Sequence, residues 1–469
     1  MNFSWSVFID LGLIAAALLV ATYIRARVPL FQRFLIPNAL TAGFILLPLY
    51  NWVLPLLGWT NSGLGNVVFH LLNISFVAMS LREGSAKGAG KRIFSSAVMT
   101  ITQYTFQAII GFGLTFLFIA TILPRLFPSF GFLLALGYGL GPGQAYAIGH
   151  GWEAMGFKGG GNLGLVFAAL GYLWGCFGGI YLIWLARKRG WMDVKKIDSI
   201  NQKRIRLGVY GPGEKKPVGS LLTTETEAID TMSFNLAMIL GVYLLAFLLL
   251  KGLTGLLHLA GPTGDQLAGN LWGIAFIFAA LVALIVKKLM QMLKVNHAMD
   301  SGSLTRITGA SVDLMVTSAV AAITIVTLST YWLPVLTVAI VGGLITSVTV
   351  IWTCSRVYRD HKFDWTLMIY GNMTGTLSTG LAFLRIIDPD FESPVATDYM
   401  YSTGITFVLC IPYILMLNLP GYWYQNGNPL YLWLTLGGLA AYLLFCVVSY
   451  TVLAGKRSFR KFFTLWLKE

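Results

Sequence analysis

Two stretches settle how the rest of this chain is read: LALGYGLGPGQAYAIGHG, residues 134–151, and YGNMTGTLSTGLAFLR, residues 370–385. Each is apolar at its ends and interrupted in the middle by Gly, Pro or hydroxyl residues. In hydrocarbon, backbone that leaves a helix strands N–H and C=O groups at high cost, so such breaks persist where protein or a wet cavity satisfies them. Glycine lets the chain turn sharply and approach a ligand. Half-helix N-termini attract anions, and freed carbonyls coordinate cations. A packing motif has no need of Pro142, Gln144, Asn372, Thr374, Thr376, Ser378 and Thr379 in the same turns. The pair therefore reads as a transport site built from two re-entrant hairpins, residues 129–151 and 363–387.

The surroundings of the two breaks are those of a bilayer protein. Of 469 residues, 56% are apolar and 11% charged, with a mean hydropathy of +0.72. Soluble domains carry roughly 25% charged residues, so too few charges exist here to coat a water-exposed surface. A window of about 20 residues predicts eleven crossings: 6–24, 36–57, 66–81, 93–123, 162–186, 234–250, 268–286, 311–330, 333–354, 396–418 and 430–453. The first reads as a retained span, since its positive charges follow the apolar run and no small-residue cleavage site is present. Cys176, Cys354, Cys410 and Cys446 lie within apolar stretches and read as small hydrophobes.

Charge tests the partition. With the N-terminus outside, 30 of the 33 Lys and Arg fall on the cytoplasmic side, leaving Arg125, Lys158 and Lys251 outside. That asymmetry is what the positive-inside rule demands, and it accounts for the net charge of +14 without nucleic acid. Residues 187–231 form a linker, basic and then acidic, whose basic run suits anionic lipid. Five crossings before it turn the second half over, so residues 1–186 and 232–418 read as inverted repeats, each with its hairpin. Ser75 and Ser318 hold matching places in the third spans, where Ser75 reads as a packing residue. Residues 419–469 add an extra span and a basic cytoplasmic tail.

IPNALTAGFIL from Ile36, FKGGGNLGLVFAALGYLWGCFGG from Phe157 and GNMTGTLSTGLAFL from Gly371, in this order and spacing, resemble the bacterial sodium/glutamate symporter family over about residues 36–418. The resemblance implies an all-α, homodimeric, elevator-type secondary transporter of the inner membrane. Its cargo would be sodium together with a small anionic substrate, glutamate or a related carboxylate, and it would hold no cofactor. The first hairpin's GLGPGQAYAIG and the hydroxyl-rich second hairpin ending in Arg385 depart from the family's glutamate carriers, and the substrate stays open.

The candidate substrate residues are Gly141, Gly143, Gln144, Thr374, Gly375, Thr376, Ser378, Thr379 and Arg385, whose guanidinium could hold a carboxylate bidentately. Its bland alternatives are a snorkelling arginine or a partner for Asp388. Asn372 and Asp313 are the candidate cation ligands; Asp313 reads alternatively as a helix-start acid or a pair with Arg306. His150 and Glu153, at i and i+3, read as an outer-surface hydrogen bond rather than a metal pair. His70, Asp10 and Asp398 read as interfacial. A membrane enzyme is disfavoured by the absence of HExxH or a paired-carboxylate constellation. Proton coupling and, less well, an ion channel are the other readings.

Overall fold

A chain crossing hydrocarbon must satisfy its own backbone, and helices do this within one segment. The computed structural model describes the chain except for residues 1–4, 35, 83–89, 193–206, 210, 212–213, 215, 217, 260–267, 269–270, 273, 389–392 and 468–469, and among the described residues there is no strand. Much of the basic part of the linker thus lies outside the described residues. Ten of the described helices are long and apolar enough to cross a membrane. All four cysteines are buried and free.

The first half comprises α1 (Ser6–Arg27), α2 (Pro29–Phe34), α3 (Asn38–Pro48), α4 (Ser62–Leu81), α5 (Gly90–Thr121), α6 (Pro142–Gly151) and α7 (Gly160–Arg189). After the linker come α8 (Thr231–His258), α9 (Ala275–Met292), α10 (Ser301–Ala321), α11 (Ile325–Val357), α12 (Lys362–Met373), α13 (Leu377–Ile387), α14 (Val395–Met416), α15 (Leu419–Asn426) and α16 (Leu430–Ala454).

Hydropathy misplaces one helix. The span expected at 311–330 is α10, which starts ten residues earlier and ends at Ala321. The cause is a cap: the Asp300 carboxylate accepts from the N–H of Gly302 (3.2 Å) and Ser303 (2.7 Å), so the polar run SGSLTRITGA is helical although too hydrophilic for a span. Asp230 starts α8 in the same way, accepting from Met232 and Ser233. Residues 325–330 belong instead to α11, which bends at Tyr331 just ahead of Pro334, where the ring removes a donor.

The helices pack as two bundles. In the first, α4 lies against α9 and α10, α3 against α1 and α10, and α8 against α9. Of these, α4, α8, α9 and α10 share a core that includes Val77, Ile239, Ala279 and Leu304, whereas buried residues of α1 and α3 such as Ala17 and Leu40 belong to the larger core of the molecule. In the second, α5 lies against α11, α14 and α16, α7 against α6 and α11, and α12 against α11 and α13. The bundles touch where α4 and α10 meet α6, and where α10 meets α7.

Several connections expected on one side of the membrane touch one another in pairs. Gly208 lies against Arg25, Lys287 donates to the Arg82 carbonyl, Thr223 to that of Ala298 and Arg457 to that of Ser355. Among residues expected near the other side, Asn51 donates to Ile323, Asn61 to Ala322, Ser129 to Leu417 and Trp152 to Asn418.

Candidate functional site

Each sequence break is a true helix break. A π-helical turn, Ala135–Leu140, runs into Gly141 at φ 98°, ψ 175°, and α6 restarts at Pro142. That backbone region is essentially glycine's alone, and Pro at the first helical position supplies the fixed φ and lacks an N–H that would be orphaned anyway. In the second half α12 stops at Met373, and α13 restarts after Thr376, which is fully extended at φ −148°, ψ 174°.

The two breaks, 235 residues apart in sequence, meet. A Cβ placed on Gly141 would stand 3.3 Å from Thr376 Cγ2 and 3.9 Å from the Gly375 carbonyl oxygen. Gly141, Gln144, Asn372 and Thr376 line one cavity of about 170 Å³. Its other walls come from both bundles: Ser75 of α4, Phe276 of α9 and Met315 of α10 on one side, Tyr104 of α5 and Tyr399 of α14 on the other.

Neither helix that restarts here is capped by a side chain. Gly141 has none to offer, and the Thr376 hydroxyl makes no cap hydrogen bond; it lies 3.5 Å from Thr379 Oγ1. The contrast with Asp230 and Asp300 matters, because the first N–H groups of a helix have no partner within it. Two N-termini carrying partial positive charge therefore converge on a cavity with no side chain spent on neutralising them.

The carbonyls freed at the breaks are held by one helix. Tyr104 Oη donates to the Gly139 carbonyl (3.2 Å), and Gln107 Nε2 donates to the Met373 carbonyl (3.0 Å) and to Thr346 Oγ1 (3.0 Å). Both residues are buried on α5, which thus braces both breaks. Gln107 Oε1 is buried without a partner and lies 3.1 Å from where a Gly139 Cβ would stand. Sequence reading missed these two residues, though the run TITQYTFQ (100–107) inside an apolar helix was the available signal. Ser75, read as a packing residue, lines the cavity while donating to the Leu72 carbonyl.

The remaining candidates stand around this cavity rather than in its lining. Gly143 packs on Leu72 and Met315. Thr374 is buried and donates to the Tyr370 carbonyl (2.8 Å). Gly375 and Thr379 sit just behind Thr376, in contact with each other. Asp313 is mid-helix, exposed, and off the face of α10 that carries Thr308, Val312 and Met315 to the cavity; it is not a helix-start acid, and Asp300 is. Among the described residues it makes no ion pair with Arg306. The side chains of Ser378 and Arg385 lie outside the described residues.

Scattered glycines of α7 prove to be seats for the breaks. A Cβ on Gly171 or Gly175 would press on Thr374, one on Gly178 on Tyr370, and one on Gly179 on Phe383. His150 Nδ1 is 2.9 Å from Glu153 Oε2, and Glu153 Oε1 accepts from Gly161 N–H. Asp10 accepts from Tyr50 and His70 meets the Tyr243 hydroxyl. Asp398 is not an exposed interfacial acid: it is 3% exposed and accepts from Arg92 Nε at 2.6 Å, which lets a carboxylate sit between α5 and α14. Among the described residues no three His, Cys, Asp or Glu gather as a metal cluster.

Comparison of the chain with protein-family models, with curated proteins and with solved structures finds no match.

Proposed function

We propose that this multi-span protein is a secondary active transporter that carries a small carboxylate, glutamate or a relative, together with sodium. The observation that carries the reading is the meeting of Gly141 with Thr376 and Gly375, which brings two uncapped helix N-termini to one cavity. Such N-termini attract a carboxylate. Oxygen ligands, here hydroxyls, the Asn372 amide and backbone carbonyls, suit a hard cation.

The finer architecture follows from lengths and pairings. At 1.5 Å per residue, α6, α12 and α13 are about 15 to 18 Å long, roughly half of a ~30 Å hydrocarbon core. On this reading each break is the tip of a re-entrant hairpin, one from each face, meeting near the midplane. The packing pairs exchange between halves: α3 with α10 mirrors α9 with α4, and α5 with α14 mirrors α11 with α7. This supports inverted repeats, and the segregation of Lys and Arg supports an N-terminus outside and a C-terminus inside. The cavity lies where the two bundles touch, so sliding the hairpin bundle along α4 and α10 would carry it across the membrane in an elevator movement.

Uptake into proteoliposomes tests the proposal. Saturable accumulation of a carboxylate is expected with an inward sodium gradient and is expected to fail when potassium replaces sodium. Equal accumulation on a proton gradient without sodium overturns the coupling and makes the exposed Asp313 carboxylate the first group to mutate.

A further inference from the structure

Apart from that cavity, three hollows converge on Leu465 in the C-terminal tail. One is an apolar groove of about 670 Å³ between α7 and α11, walled by Leu173, Phe177, Leu185, Ile340, Leu344 and Ile351. A second, of about 500 Å³, runs along the other side of α11 between Val348 and Trp352 and the residues Val447, Tyr450 and Phe463. The third, about 360 Å³, is at the foot of both, and its walls are Arg189, Lys461 and the rings of Trp191 and Trp466. Leu465 lines all three, and Leu185 lines both the first and the third.

We propose that these hollows form one site for an anionic diacyl phospholipid, its two acyl chains in the grooves flanking α11 and its phosphate between Arg189 and Lys461. The chemistry is divided as such a lipid divides it, with two long apolar channels joined to one cationic pocket. Phe177, Ile340, Leu344 and Val348 are about half exposed, so the grooves open sideways, as lipid chains require. Trp191 and Trp466 stack with centroids 4.7 Å apart, the amphipathic ring placement found at headgroup level. Among the described residues neither Arg189 nor Lys461 has an ion-pair partner, so both charges are available to an anion.

The pocket is built, not a chance fold of a loose tail. Arg356 is fully buried, and its Nη2 donates to the carbonyls of Lys461 (3.0 Å) and Thr464 (2.9 Å). Tyr450 Oη donates to the Ser458 carbonyl, Trp352 Nε1 to that of Phe462, and the Leu467 N–H to Ser355 Oγ. These bonds fix the tail across the end of α11, and the strain of Lys461 at φ 47° is held by them.

The test uses the detergent-purified full chain. Thermal unfolding and native mass spectrometry are followed while phosphatidylglycerol, phosphatidylcholine or inorganic phosphate is added, for the wild type and for Arg189→Gln/Lys461→Gln. A lysine or arginine at an anionic lipid surface is worth about fivefold in affinity. The double variant is therefore expected to need roughly twenty-five-fold more phosphatidylglycerol for the same rise in melting temperature. Both altered side chains are exposed, and an unchanged melting temperature without lipid verifies that the variant folds. Wild type is expected to retain phosphatidylglycerol in the mass spectrum in preference to phosphatidylcholine. An equal response to phosphatidylcholine, the full response to inorganic phosphate alone, an unchanged response in the double variant, or grooves covered by a second copy in a lipid-free dimer each overturn the proposal. None of these outcomes depends on what the cavity at Gly141 carries.

Discussion

At the scale of single residues, the cavity makes sharp demands. Losing a hydrogen bond to a charged ligand costs about 1.5–3 kcal/mol, or roughly ten- to hundredfold in affinity. Thr376→Val and Gln144→Ala are expected to weaken substrate binding by that much, measured by isothermal calorimetry on purified protein. Ser96→Ala is the fitting control, since Ser96 is buried and bonded to the Ile93 carbonyl away from the cavity; Ser75 is unsuitable because it lines the cavity. Wild-type affinity in both variants would make those side chains packing groups. Gly141→Ala forces a Cβ onto a glycine-only backbone region, at about 1–3 kcal/mol, and 3.3 Å from Thr376. Lower stability and weaker binding are expected together. Gln144, Asn372 and Thr376 could be picked from the sequence because polar residues beside helix breakers are conspicuous in an apolar chain. Tyr104 and Gln107 could not be assigned a role, because their partners, the carbonyls of Gly139 and Met373, are 35 and 266 residues away.

Elements begin where their caps put them. Asp300 explains a ten-residue error in placing α10. Burial pushes its carboxyl up, but hydrogen bonds from the Ser303 hydroxyl and from backbone N–H groups outweigh burial and hold it below its ordinary value. A depressed folded-state value means the stabilisation is complete above about pH 4, the unfolded carboxyl's range, and is lost as pH falls through the lower folded value. Asp300→Ala is expected to cost about 0.5–2 kcal/mol at pH 7 and to flatten that acid limb of a stability-against-pH curve, whereas Asp300→Asn keeps the cap and loses only the pH dependence. An acid limb unchanged in Asp300→Asn would place the titration elsewhere. The helices at the breaks are the converse case: their starts carry no side-chain cap, and a bound anion is expected to protect the N–H groups of Gly143 and Gln144 from hydrogen exchange.

For the whole molecule, sidedness is the property to measure. Residues from connections expected to share a face touch in pairs, as Lys287 with Arg82 and Arg457 with Ser355 do. In a background lacking the four native cysteines, single cysteines at Asn2 and Lys158 are expected to react with an impermeant thiol reagent outside intact cells. Cysteines at Ser220 and Lys456 are expected to react only after permeabilisation. Labelling of Ser220 from outside would sink the inverted-repeat arrangement. The Arg92–Asp398 pair ties the long helix of the first half to α14 of the second. Asp398→Asn is expected to lower the melting temperature modestly, because a neutral amide makes a weaker hydrogen bond to the half-exposed Arg92 than the carboxylate does, and Arg92→Gln to lower it more, because it leaves the buried Asp398 carboxylate without its charge partner.

Membrane residence, the number of long apolar helices among the described residues to within one, and the position of both helix breaks were determined by the sequence alone. These depend on local quantities: hydropathy over about 20 residues, and glycine, proline and hydroxyl residues inside an apolar run. What only the tertiary structure decided are the relations between distant segments. These are the contact of Gly141 with Thr376, the bracing of both breaks by Tyr104 and Gln107 of α5, and the burial of Asp398 against Arg92. They also include the fastening of the tail by Arg356. The physical reason is that hydrogen bonds and packing act over a few ångströms in space, while the groups they join here lie tens to hundreds of residues apart along the chain.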